Sequence, residues 1–312
     1  MTEERQSARQ FSPRILFIVL LLLVAFVIEG SLAAARAQDM TEAELKEEEQ
    51  LERDFTDPLT TLPQVVVRDS WTPATYAPCT LPTACWRNDQ TNQAIFRPVI
   101  PRLPPNTLLP IPQLIRPTFA VVTVPSSRGG TRTEFGDIPL FDIAVMPWPS
   151  RKETGLLWGF GPTFVFPTAT SKSAGQGAWE AGPALGAIYT GVPGLLLGFV
   201  AENPISFAYT RPGVPAQSSF QLQPVLALHL WDKWYLRSAE ANWSIGWHRH
   251  SPTTLPLSIG LGRTLVRPGL PPMSFFVGGQ WMAYRDYAPI APQTTINFGA
   301  TVAFPQLQSL WK

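Results

Sequence analysis

Residues 156–189 constrain the fold of this chain more than any other stretch, because their side chains alternate strictly in character. The two interleaved sets of the first half are Leu156, Trp158, Phe160, Pro162, Phe164, Phe166 and Leu157, Gly159, Gly161, Thr163, Val165. The first set is large and apolar, and the second is mostly small. After a polar turn the alternation returns over residues 178–189. Successive side chains on a strand point to opposite faces, so the pattern predicts two strands joined by a turn.

The character of the two faces indicates a barrel in a membrane. A strand of a soluble sandwich buries its apolar face and exposes a polar one. Here the apolar face carries aromatic residues near the strand ends, and the other face carries Gly, Thr and Glu180. This is the two-residue period of membrane-spanning β-barrels, with lipid outside and a small or polar interior. Charged residues make up only 15 % of the chain, against about 25 % in an average one, and lipid-facing positions exclude charge.

The first 37 residues have the features of a secretory signal peptide. Three arginines precede an apolar run over residues 15–28, and residues 35–37 read Ala-Arg-Ala, which satisfies the A-x-A cleavage rule. The alternative is an uncleaved membrane anchor, but the run is shorter than the ~20 residues that a transmembrane helix needs. We therefore expect export, with the bacterial outer membrane as the destination.

Residues 38–57 are predicted to form a short acidic helix between the signal peptide and the barrel. Residues 41–44 form a capping box ahead of a run rich in Glu with few apolar positions. Two interpretations stay open, a solvated periplasmic arm and a plug that enters the barrel mouth. The net charge of +1 gives no reason to expect nucleic acid as a partner.

Residues 58–305 are predicted to form an all-β, antiparallel, up-and-down transmembrane barrel of about twelve strands, followed by a tail over residues 306–312. The predicted strands are 64–72, 92–101, 114–124, 136–146, 156–166, 178–189, 194–203, 218–231, 234–246, 254–266, 273–285 and 293–304. An even number agrees with closed single-chain barrels of the bacterial outer membrane. Short and long connections alternate, as that topology requires, although the link over residues 102–112 is long for a periplasmic turn.

The last predicted strand ends on Phe304, and such a closing strand resembles the C-terminal signal of the outer-membrane assembly machinery. That machinery and outer-membrane lipid are therefore the expected partners. Aromatic residues are expected on the outer face, several of them at the membrane interfaces. The tryptophans assigned there are Trp71, Trp158, Trp179, Trp234, Trp243 and Trp281.

Cys79 and Cys85 lie in a loop rich in Pro and Thr, and in an oxidising compartment they are predicted to form one local disulfide. A metal site is not expected at these cysteines, because neither has a CxxC partner or a nearby His. The His-Arg-His run at residues 248–250 lies in a predicted outer loop and would need further ligands to hold a metal. No metal or cofactor is predicted.

Several runs resemble a bacterial family of outer-membrane transporters, some of which carry the label neuromedin U, related to barrels of the phenol meta-cleavage-pathway type. These runs are FRPVIP, GFGPTFVFPTAT, GAWEAGPALGAIY, AENPISFA, FQLQPVLALHL, WYLRSAEANW and LPLSIGLGRTL. The resemblance covers about residues 57–305. It implies an outer-membrane barrel of unspecified substrate and supplies no catalytic residues.

Assigning the small or polar face to the interior gives the candidate lumen-lining residues. They are Arg97, Asp142, Glu180, Glu202, Gln221, Gln223, His229, Ser238, Glu240 and Asn242. An Arg or Lys on the lipid face at mid-bilayer costs about 2–4 kcal/mol, a large part of a total stability of ~5–15 kcal/mol. These residues would line a solute path, or they would form a salt-bridge network that holds a narrow barrel shut.

The function expected from the sequence is passive passage of small molecules, including apolar ones. One alternative is a closed structural barrel that anchors an envelope complex through the acidic arm. A less favoured alternative is an outer-membrane phospholipase with His229 as its base. That activity needs a Ser within hydrogen-bond reach of the base, and no nearby Ser has a suitable context, so we do not expect an enzyme.

Overall fold

The computed structural model describes the following residues: 50–51, 53–76, 86–87, 90–104, 107, 110–125, 131–146, 155–231, 233–247, 251–267, 269–288 and 291–310. They belong to one compact unit, residues 49–312. The predicted signal peptide, the capping box, Cys79, Cys85 and residues 248–250 lie outside this set and stay predictions. Over the described ranges, no helix combines the length and the apolar composition that crossing a bilayer requires.

Within the described residues, twelve antiparallel strands form one closed sheet, as predicted, and a further two-residue strand, Trp86–Arg87, pairs with the first of them. The strands are β1 Gln64–Tyr76, β2 Thr91–Arg102, β3 Gln113–Pro117 and Phe119–Pro125, β4 Thr131–Phe135 and Ile138–Met146, β5 Leu156–Phe166, β6 Ala178–Val192, β7 Leu195–Glu202 and Ile205–Tyr209, β8 Ser219–His229, β9 Trp234–Arg237 and Trp243–Gly246, β10 Thr253–Leu265, β11 Met273–Asp286 and β12 Ala291–Ala303. Each strand pairs with its neighbour in the chain, and β12 closes the sheet on β1. The seam runs from the pair Gln64 and Ala303 to the pair Tyr76 and Ala291.

Both ends of the barrel sequence lie at the same rim, which we call the terminal rim. Gln64 and Ala303 are paired there, and the backbone N–H of Phe304 donates to the Pro63 carbonyl at 2.8 Å. A 3₁₀ helix, Pro305–Leu310, follows. The long link after β2 leaves its hairpin intact, because pairing with β3 resumes directly at Arg102 and Gln113.

The orientation of the strands agrees with the predicted pattern. In β5, Leu156, Trp158 and Phe160 are exposed, whereas Leu157 and Thr163, from the interleaved set, are buried. The same holds on other strands for the exposed residues Leu185, Leu197, Leu226, Ile259, Val277 and Phe298. Of the six tryptophans assigned to the outer face, Trp158, Trp179 and Trp281 are exposed and Trp71, Trp234 and Trp243 are half-buried.

The interior differs from the prediction in that part of it is large and apolar. Near the terminal rim the inward positions include Leu114, Ile143, Leu157 and Ile188, all of them buried. The physical reason is a segment of chain that enters the barrel at this rim and against which these side chains pack. A lumen lined only by small and polar groups would leave that segment without an apolar partner.

The membrane orientation of the barrel is testable at Leu185, which lies in the middle of β6 and is 44 % exposed on the outer face. Leu185→Arg places a charge toward hydrocarbon, at an expected cost of about 2–4 kcal/mol. The matched control is Gln221→Arg, whose side chain faces inward directly opposite Glu202. Heat-modifiable migration on gels, which reports folded barrel, is expected to fall for Leu185→Arg and to persist for Gln221→Arg. Equal migration of both variants would contradict the orientation.

Candidate functional site in the barrel interior

The chain ahead of β1 occupies the interior at the terminal rim. We call residues 53–63 the entry segment. The described residues from 50 to 56 are helical, and the segment then turns, with the N–H of Asp57 donating to the Arg53 carbonyl at 2.8 Å. The Asp57 carboxylate accepts the N–H of Leu59 at 2.7 Å, and the Thr60 hydroxyl accepts the N–H of Leu62 at 3.1 Å. These bonds pair backbone donors that burial removes from water.

Leu59 is the central apolar contact of the entry segment. Its side chain is fully buried and belongs to one cluster with inward residues from β1 to β8, which are Val66, Val99, Leu114, Phe141, Ile143, Val145, Leu157, Ala184, Ile188, Leu196, Val200, Val225 and Ala227. Eight strands of the wall therefore contribute to one apolar layer around a single side chain. Phe55 and Leu62 form a second, smaller cluster with Ala303.

A break in β9 brings a carboxylate into the interior. Pairing stops after Arg237 and resumes at Trp243, and Glu240 between them has a φ of 53°, in the left-handed region. The Ser258 hydroxyl accepts the N–H of Ala239 at 3.0 Å. The Asn297 amide donates to the Ala239 carbonyl at 3.5 Å. A non-glycine residue holds such a φ only where its surroundings determine it, and here β10 and β12 do so.

Glu240 joins arginines from both sides of the barrel. Its Oε2 accepts from Arg68 Nη1 at 2.7 Å and from Arg97 Nη1 at 2.9 Å, and its Oε1 accepts from Arg237 Nη2 at 3.2 Å. Arg68 and Arg97 lie on β1 and β2, whereas Glu240 lies within β9, so these bonds cross the interior. We call Arg68, Arg97, Arg116, Arg237 and Glu240 the charged cluster.

The arginines of the charged cluster also have partners other than Glu240. Arg97 Nε donates to the Thr118 hydroxyl at 2.9 Å. The guanidinium of Arg116 lies 4.7 Å from the centre of the Phe141 ring, and that of Arg237 lies 4.4 Å from the centre of the Phe276 ring. Cation–π contacts of this kind hold a guanidinium plane in place. The wall of the barrel therefore orients these three side chains independently of the carboxylate.

Two further carboxylates face the interior. Glu180 is buried in β6, and Glu202 in β7 accepts the Thr163 hydroxyl at 2.8 Å. The arginines of β1, β2 and β3 thus occupy one part of the wall, and the carboxylates of β6 and β7 occupy another. The interior carries opposite charges on different arcs of one ring of strands.

Residues of the entry segment and of the charged cluster line a small cavity of about 40 Å³. Phe55 and Asp57 of the segment line it, together with Arg97, Arg116 and Glu240. A volume of this size holds only a few water molecules.

The structure brings some of the sequence-derived candidates together and separates others. Arg97 and Glu240 form an ion pair, and Gln223 and Ser238 line the same cavity. Glu180, Glu202 and Gln221 face inward on β6, β7 and β8. The remaining three candidates, Asp142, His229 and Asn242, lie elsewhere.

Asp142 is a correction to the prediction. On β4 it alternates with Phe141 and Ile143, which are both buried in the interior, and it is paired with Ile115 rather than with an inward residue. Its side chain is therefore on the outer face of the strand. The charge of the residue misled the assignment, because its strand position, not its polarity, decides which way it points.

His229 and Asn242 are both exposed. His229 is the last residue of β8, at the terminal rim, where its N–H donates to the Gly194 carbonyl at 2.7 Å. Neither residue takes part in the charged cluster.

The other members of the site, Arg68, Arg116, Arg237 and Leu59, were not among the residues predicted from the sequence. A signal for Arg68 was present, because it shares the two-residue period of Val66 and Ser70, both buried in β1. Leu59 stands between Pro58 and Thr60 outside any periodic pattern, so nothing in the sequence marked it.

Comparison with known proteins relates the fold to outer-membrane barrels. No protein-family model matches the sequence, and no curated protein matches it. A crystal structure of an outer membrane channel from Pseudomonas putida F1 is similar, with a TM-score of 0.52 at 11 % identity, over 80 % of this chain and 98 % of that one. KdgM porin gives a TM-score of 0.42 at 7 % identity, over 77 % and 99 %. At such identities the likeness concerns the fold alone.

The shared carboxylate is expected to be a principal source of stability. Glu240→Ala leaves three arginines, whose side chains are only 11–15 % exposed, without their common partner. Breaking a buried pair in this way costs about 3–5 kcal/mol. Arg132→Ala is the matched control. It breaks an ion pair with Glu134 in which the Arg132 side chain is 48 % exposed, and the expected loss of stability is about 0–1 kcal/mol. Urea unfolding followed by tryptophan fluorescence measures both changes. A loss at Glu240 no larger than that at Arg132 would show that the cluster does not stabilise the barrel.

Proposed function

We propose that this protein is a passive channel of the bacterial outer membrane for small molecules, and that the entry segment closes it in the conformation described here. The observation that supports the proposal is where the side chains that occupy the interior come from. Leu59 comes from a segment ahead of the barrel and Glu240 from a break in one strand, so neither belongs to the continuous hydrogen-bonded wall. Side chains that are not part of the wall are able to move out of the interior while the strands of the wall stay paired.

The burial of Leu59 sets a lower limit on the free energy that holds the segment in place, since Phe55 and Leu62 are buried as well. Fully burying a leucine side chain contributes about 1.5–3 kcal/mol. A cost of ~3 kcal/mol corresponds to an open population of about one in a hundred, since every 1.4 kcal/mol is a factor of ten. The proposed channel is therefore closed for most of the time and conducts in rare openings. The solute's own gradient drives passage.

A second candidate function is a closed barrel that anchors an envelope complex. The filled interior favours it, because a barrel that never opens has no need of a free path. The two candidates differ in what happens when the entry segment is fixed in place. A channel loses conduction, whereas an anchor has no conduction to lose.

A disulfide between the entry segment and the wall separates them. A Cβ built on Gly186 lies 3.0 Å from Leu59 Cδ2, so these two positions face each other where the entry segment meets the wall. We expect Leu59→Cys/Gly186→Cys, once oxidised, to abolish single-channel current in planar bilayers and solute-driven swelling of liposomes. Reduction is expected to restore both to at least the wild-type level.

The wild-type protein under the same oxidising and reducing conditions is the control, since its own cysteines experience the same treatment. Mass spectrometry verifies that the introduced bridge has formed. Equal current from the bridged and reduced forms would contradict closure by the entry segment. Absence of current from the wild type and from the reduced variant would support the structural barrel instead.

A further inference from the structure

We propose that the arginines of the charged cluster form a binding site for the carboxylate of a small organic monoanion, and that Glu240 occupies this site as an internal substitute. Such a site would make small organic monoanions the solute class of the proposed channel, and the physiological role of the site rests on that proposed function. Binding itself does not depend on conduction. Arg68, Arg97, Arg116 and Arg237 would contact the solute.

The first reason is the imbalance of charge. Four guanidinium groups line or reach this region, against two carboxylates, that of Glu240, which accepts from three of the arginines, and that of Asp57, which lines the same cavity. Each guanidinium has five N–H donors, so two carboxylates cannot satisfy them. Arg68 Nε is buried and has no hydrogen-bond partner among the described residues. A buried excess of positive charge and unused donors favours a further anion.

The second reason is preorganisation. The contacts of Arg97 with Thr118, of Arg116 with Phe141 and of Arg237 with Phe276 hold the guanidinium groups in place from the wall. Glu240, by contrast, is delivered by a break in β9 in a left-handed conformation. Because the wall holds the donors, the arginines keep their geometry when one acceptor replaces another, and a second carboxylate finds them already placed.

The third reason is the shape and polarity of the neighbouring space. The cavity beside the arginines is lined on its other side by Val66, Val99 and Val225. The apolar layer around Leu59 lies next to it, since Val66, Val99 and Val225 belong to both. Withdrawal of the entry segment adds the volume of the Leu59 side chain to the cavity. The resulting space fits a carboxylate followed by a short apolar body, which makes four-carbon butanoate a suitable probe.

The test measures binding of sodium butanoate to the full-length folded protein by isothermal titration calorimetry, at constant ionic strength. Butanamide, which has a similar shape and no charge, is the matched ligand. Glu240→Gln removes the internal carboxylate and keeps its size, so it is expected to bind butanoate about tenfold more tightly than the wild type, which is about 1.4 kcal/mol. Butanamide is expected to bind both proteins equally.

Two arginine variants locate the effect. Arg97→Gln is expected to weaken butanoate binding about tenfold, which is the loss of one charge-assisted contact. Arg132→Gln removes an arginine of the same barrel outside the charged cluster and is expected to bind as the wild type does. Equal affinity of the wild type and Glu240→Gln for butanoate would overturn the site.

If Glu240→Gln does not assemble, the comparison of the wild type with Arg97→Gln decides. A wild-type preference for butanoate over butanamide that Arg97→Gln abolishes supports the site, and the lack of any preference overturns it. Current measurements keep the two proposals apart. Butanoate binding without any current contradicts the proposed channel and supports the binding site. Current without a preference for butanoate over butanamide supports the channel and contradicts the binding site.

Discussion

The structure depends on the hydrogen-bonded seam between the first and last strands. Hydrocarbon offers no partner for a backbone N–H or C=O, and each unpaired group would cost several kcal/mol. Pairing from Gln64 and Ala303 to Tyr76 and Ala291 removes the two free edges of the sheet. Once the sheet is closed, the outer face must be apolar, and the exposed rows of Leu, Phe, Val and Trp satisfy that requirement. The charged cluster, Glu180 and Glu202 then lie in the interior, whereas Asp142 is an exception on the outer face.

Confinement explains the contents of the interior. Twelve strands enclose a narrow space, in which several arginines and carboxylates must find partners or remain unpaired at high cost. Glu240 reaches across from the break in β9 to arginines on β1 and β2, and Leu59 fills the apolar layer beside them. The same two elements that satisfy the interior also obstruct it. The contacts of Leu59 and Glu240 therefore both stabilise the barrel and obstruct its interior. Any opening of the interior would be a local rearrangement of these contacts, with the strands of the wall still paired.

The two-residue period was sufficient to predict the class of fold and all twelve strands, because the requirement for apolar outer positions acts on every strand separately. It did not predict the contacts across the barrel. Glu240 and Arg97 were recognised as inward residues, but their pairing depends on the break in β9, which no turn residue in Ser-Ala-Glu-Ala-Asn marks strongly. Asp142 was misplaced because its strand position outweighs its charge. The burial of Leu59 depends on the whole barrel and cannot be read from its neighbours in sequence.

The central claim is that the entry segment fills the barrel, and amide hydrogen exchange of the unmodified protein in lipid bilayers tests it most directly. The N–H groups of Leu59 and Leu62 are buried and bound to Asp57 and Thr60 within the barrel. The account predicts that they exchange orders of magnitude more slowly than unstructured peptide amides, since exchange requires the segment to leave. Exchange of both amides at the rate of an unfolded peptide, with the strand amides fully protected, would contradict it.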